Sequence, residues 1–223
     1  MRRTANSPIM VRHGGAMRWR LALVGALAGL AWAASLRSYM VELAGRESTV
    51  EWLGTFVGVL LPGAVVGALL GLAEAMRRVG GPRGWRWLAA SPLLFGVAAL
   101  AMPGALMEFL RTGLGGGALG VSLIAILGGY ALSGRGRRWL RLLCGALAAV
   151  GMVGGAVTGS GLQPDALALT TPRGAWVAVM FASLMLLLAM ASAIPHRQVE
   201  LLPAPRSSDV VAPDAVIGVV SPA

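Results

Sequence analysis

The sequence has no lysine: all 19 of its basic residues are arginines. Schiff-base chemistry and amine nucleophiles are therefore excluded, and the codon bias that favours arginine suggests a bacterial genome rich in G and C. One cysteine is present, Cys144, and it lies inside an apolar run. An internal disulfide and a cysteine-based metal site are ruled out. The two histidines, His13 and His196, lie outside the apolar runs, and there is no His-x-x-His pattern. Charge is sparse, at 13% of residues, where a soluble domain carries about 25%. The few charges avoid the middle of the apolar runs, which weighs against a proton or sodium pathway through a buried carboxylate. A glycine loop ending in Lys-Ser/Thr is absent, so no nucleotide site is visible. Gly159-Ser160-Gly161 looks like part of a serine-hydrolase motif, but neither histidine is placed to act as its base, and a turn explains it better. The expectation is a non-enzymatic protein without a cofactor or a bound metal.

What the chain has in abundance is uncharged apolar length. Hydrophobic residues make up 57%, with a mean hydropathy of +0.74. Between Glu51 and Glu74 lie 22 residues without a charge. As a helix they would span roughly 33 Å, close to the hydrocarbon thickness of a bilayer. The expected fold class is an all-α integral membrane protein, a bundle of six transmembrane helices. The spans fall at about 21–36, 52–73, 87–107, 112–134, 142–164 and 174–195. The third, with Pro92 and Pro103, is the least regular. Residues 1–20 read as a basic tail rather than a cleaved signal peptide. Residues 196–223, rich in proline and alanine, read as a second, disordered tail.

Small residues recur every fourth position: Gly25, Gly29 and Ala33, then Gly54 and Gly58, then Gly63, Gly67 and Gly71. Gly151, Gly155 and Gly159 repeat the pattern. This spacing lines one helix face with small residues, where a second backbone can approach closely. Pro62 lacks an N–H and leaves the Gly58 carbonyl without its usual donor, so a kink is expected there.

Orientation follows from the arginines. With six spans, the side that holds both termini carries 15 of them, and the other carries Arg37, Arg46, Arg111 and Arg173. The excess marks the cytoplasmic side and places the protein in a cell membrane, with both termini inside. The net charge of +10 is then an inner belt that attracts anionic lipid headgroups, and nucleic acid is not needed to explain it. Arg-Trp recurs at 18–19, 86–87 and 138–139. It is compatible with a threefold hairpin repeat, but interfacial tryptophans beside inner arginines explain it better.

The function expected first is an accessory or assembly subunit of a cell-membrane complex, held to other membrane subunits or to itself by its small-residue faces. The alternative is a small carrier or ligand-binding membrane subunit for a neutral or hydrophobic molecule. Its candidate outer site would use Tyr39, Glu42, Arg46, Glu51, Trp52, Thr55, Glu108 and Arg111. Six spans in about 200 residues, with Ala22-x-x-x-Ala26 in the first, are similar in scale to the substrate-binding subunits of energy-coupling-factor vitamin transporters.

Overall fold

The computed structural model describes residues 8–45, 48–81, 84–112 and 116–197, apart from the side chains of 8–14, 106, 108, 109, 112, 116 and 162. Arg46 and most of the expected C-terminal tail lie outside the described residues. Every regular element among them is helical. The long helices are α1 (Pro8–Ala44), α2 (Leu61–Val79), α5 (Gly116–Leu132), α6 (Arg138–Leu162) and α8 (Pro172–Ser192). Between them lie the short helices α3 (Leu93–Leu100), α4 (Ala105–Thr112) and α7 (Pro164–Leu167). Four stretches are long and apolar enough to cross a membrane: Gly15–Ala44, Trp52–Val79, Arg138–Gly161 and Pro172–His196.

The six expected spans thus appear as four long helices, one shorter apolar helix (Gly117–Leu132) and one interrupted segment. Where a single helix was expected at 87–107, a 3-10 turn at Trp85–Ala90 is followed by α3 and α4. Pro92 separates the turn from α3, and Pro103 with Gly104 (φ 80°) separates α3 from α4. Proline cannot donate within a helix, and a positive φ stops one. The first helix is longer than expected at both ends. Pro8 stands in its first turn, where a missing N–H costs nothing, and no further proline follows before Ala44.

Helices α1 and α2 run antiparallel with their backbones in contact. A β-carbon at Gly67 would lie 2.8 Å from Cα of Gly29, and one at Gly29 would lie 2.9 Å from Cα of Gly67. Gly25 meets Gly71 in the same way, at 3.0 Å, and Gly63 faces Ala33. Lipid tails are as apolar as leucine, so burial alone does not hold two helices together in a bilayer; close packing does. Elsewhere small residues make room for rings. A β-carbon at Gly155 would sit 2.6 Å from Cζ of Phe181, and one at Gly159 3.0 Å from the Tyr39 hydroxyl. Gly151 faces Ile124, and Gly58 faces Met102. Gly54 has open space around it.

Pro62 changes the winding of its helix. Trp52–Leu60 is a π-helix that runs directly into α2, and the Leu61 N–H bonds the Phe56 carbonyl, five residues back. The wider turn relaxes the register in which the proline ring would meet the Gly58 carbonyl. The far end of α2 stops at Gly80, which takes the left-handed conformation (φ 81°).

The two ends of the bundle differ in charge. At one end Leu21 meets Gly71, Gly129 meets Ser192, and Tyr130 sits edge-on to His196. Arg18, Arg20, Arg77, Arg78, Arg135 and Arg141 belong to this end. At the other end Glu42 pairs with Arg173 at 2.9 Å, and the Gln163 side chain donates to the Leu43 carbonyl at 2.7 Å. Exposed tryptophans mark both ends: Trp19, Trp87 and Trp139 at the first, Trp52 and Trp176 at the second. On α6, Trp139 and Gly161 are separated by about 33 Å at 1.5 Å per residue, which sets the two belts a hydrocarbon thickness apart.

Gly67→Leu is expected to force α1 from α2 and to cost about 3 kcal/mol or more, read as loss of monodisperse protein and a lowered Tm in mild detergent. Gly154→Ala, where nothing lies within 4 Å, is expected to be neutral or to stabilise by up to about 1 kcal/mol in the same assay.

Candidate functional site

Because α1 is held against α2, its other flank diverges from α8 toward the arginine-rich end. The gap is a cleft of about 430 Å³. Gly25, Gly29 and Trp32 form its α1 wall, and Leu187, Leu188 and Ala191 its α8 wall. Gly63, Gly67 and Leu70 of α2, with Phe95 of α3, form the floor. The glycines of α1 and α2 that line the cleft are the same ones that bring the two backbones together. The volume falls within the range of ligand pockets, roughly 300–1,000 Å³.

Trp32 closes the cleft at its far end. Its indole N–H donates to the Leu184 carbonyl at 2.9 Å, and its ring meets Phe95 edge-on at 5.7 Å. Phe95 is positioned by the start of α3, where the Ser122 hydroxyl lies 2.7 Å from the Pro92 carbonyl and 3.0 Å from that of Ala118. Glu74 stands at the opposite end, the arginine-rich mouth. Its carboxylate accepts two bonds from Arg77, at 2.8 and 2.9 Å, and one from Arg78 at 2.7 Å. A forked guanidinium–carboxylate pair is among the stronger polar contacts available to a protein. The cluster carries one negative and two positive charges.

None of the described outer candidates lines this cleft. Tyr39 is buried, stacked on Phe181 with ring centres 5.2 Å apart. Glu42 holds Arg173. Glu51 is exposed and precedes the π-helix, with the Thr49 hydroxyl 3.5 Å from its carboxylate. Trp52 is 80% exposed and stacks on Phe56. Thr55 is buried and accepts from Arg37 at 3.3 Å. Glu108 and Arg111 sit on α4, Arg111 exposed in its last turn. Sequence reasoning missed Arg37, which also donates to the Ser48 hydroxyl at 3.2 Å and to the Thr49 carbonyl, tying the α1–α2 connection to the end of α1. Ser160, of the serine-containing fragment, bonds back to the Val157 carbonyl at 2.7 Å.

No family model matches the chain, and neither does any curated protein or solved structure.

Trp32→Phe keeps the ring and removes the donor. It is expected to cost about 0.6–2 kcal/mol, the range for a hydrogen bond between membrane helices, read as a lower Tm in detergent.

Proposed function

We propose that this protein is a multi-pass membrane protein that binds a hydrophobic molecule in the cleft between α1 and α8, acting as a ligand-binding membrane subunit rather than an enzyme. The observation that carries this reading is the cleft itself: deep, apolar, floored by glycine and ended by a charged cluster. Soluble pockets of this kind expel water to bind. This one opens sideways, past the exposed Val24 and Leu187, toward the space lipid tails would fill.

The reading includes six crossings, made by α1, the π-helix with α2, the interrupted segment, α5, α6 and α8. Both termini face the cytoplasm of a bacterial cell. The concentration of arginines at one end of the bundle supports that orientation. On a Cys144→Ala background, a cysteine at Arg137 is expected to resist a membrane-impermeant maleimide in intact cells, and one at Ser48 to react. The reverse pattern would invert the protein.

A second reading, an accessory or assembly subunit, is supported by α6, whose flank at Val150 and Val153 is left uncovered by the chain itself. Mild-detergent purification followed by mass spectrometry separates the two. A stoichiometric hydrophobic small molecule supports the binding subunit. A stoichiometric membrane protein with an empty cleft supports the assembly subunit.

A further inference from the structure

The ends of the cleft identify its occupant. From Leu21 to Trp32 it extends 11 residues of α1, about 17 Å, close to half of a hydrocarbon core of about 30 Å. That is the depth of one leaflet. An acyl chain entering from the arginine-rich interface would reach Trp32 and stop. Its headgroup would then lie beside Glu74, Arg77 and Arg78.

The charge there selects among headgroups. Both oxygens of Glu74 are engaged by Arg77 and Arg78, and the three side chains together carry a net positive charge. A cationic head would find its one candidate acceptor occupied and a surplus of like charge around it. Arg78 is half exposed, with 48% of its side chain accessible, and can turn toward an anion without leaving Glu74 unpaired, because Arg77 still holds the carboxylate. Leu21 faces Gly71, so Arg18, one turn before it on α1, lies level with this cluster and is exposed. We propose that the ligand is an anionic glycerophospholipid, one chain in the α1–α8 cleft and its phosphate at Arg78. This rests on the cleft being a binding site.

The test uses the full chain in mild detergent, incubated with phosphatidylglycerol or with phosphatidylcholine of the same chains, and native mass spectrometry to count retained lipid. The wild type is expected to keep one phosphatidylglycerol, in at least about fivefold preference to phosphatidylcholine, the contribution of roughly one arginine near an anionic lipid. Arg78→Gln should remove most of that preference. Glu74→Gln should strengthen phosphatidylglycerol retention by freeing positive charge. Ala28→Phe, on the exposed α1 wall, should expel both lipids; Leu187→Trp on the facing wall repeats the block should the first variant lose its fold by size exclusion. Equal retention of the two lipids, or weaker phosphatidylglycerol retention in Glu74→Gln, overturns the anionic-lipid proposal and leaves the cleft as a site for another hydrophobe. Unchanged retention in both blocking variants overturns the cleft as a binding site altogether.

Discussion

The contact between the backbones of α1 and α2 is the constraint from which the rest of this bundle follows. In hydrocarbon there is no gain from hiding apolar surface, and helices associate through close packing and the few polar bonds they can share. Gly25 and Gly29 against Gly63, Gly67 and Gly71 permit an approach that any side chain would prevent. That pairing fixes the tilt of α1. Helix α1 meets α8 through Glu42 and Arg173, Tyr39 and Phe181, and Trp32 and Leu184, and beyond Trp32, toward the arginine-rich end, the cleft lies between the two helices. The glycines let the two backbones meet, and the same residues line the cleft.

Polar groups are spent where water or the headgroup region can share them. Glu42 with Arg173, Gln163 with the Leu43 carbonyl, and Arg37 with Thr55 and Ser48 all stitch the end away from the arginine belt. Thr171 caps α8 by accepting from the Gly174 N–H at 3.0 Å, and Pro172 follows in the first turn, where its missing donor is harmless. Within the apolar middle the side-chain bonds are few and go to backbone carbonyls, as those of Trp32 and Ser122 do. Such bonds satisfy a donor without bringing a second polar side chain into lipid.

Much of the architecture could be read from residue order because it depends on local chemistry. Helical, membrane-length segments follow from uncharged length, and the four-residue spacing of small residues marks the faces that meet in α1 and α2. Pro92 and Pro103 forecast an irregular third segment, though its division into a 3-10 turn and two short helices depends on how it packs on α2 and α5. Pro62 signalled a perturbation; its form, nine residues of π winding, did not follow from the proline alone. The cleft was not legible. Its walls come from α1 and α8, which are 152 residues apart at the Trp32–Leu184 bond, and its closing bond ends on a backbone carbonyl, which leaves no mark in side-chain identity. The charged and polar residues of the loops mark the opposite end of the bundle, where Glu42 and Thr55 are engaged by Arg173 and Arg37.

The decisive measurement is magic-angle-spinning NMR of the protein in bilayers with carbon-13 at glycine Cα. Gly29 and Gly67 should give a direct cross-peak, with a second between Gly25 and Gly71, each lost when one partner is replaced by alanine. Helical shifts for both segments without either cross-peak would contradict the account, because α1 and α2 would then stand apart and the cleft they shape would not exist.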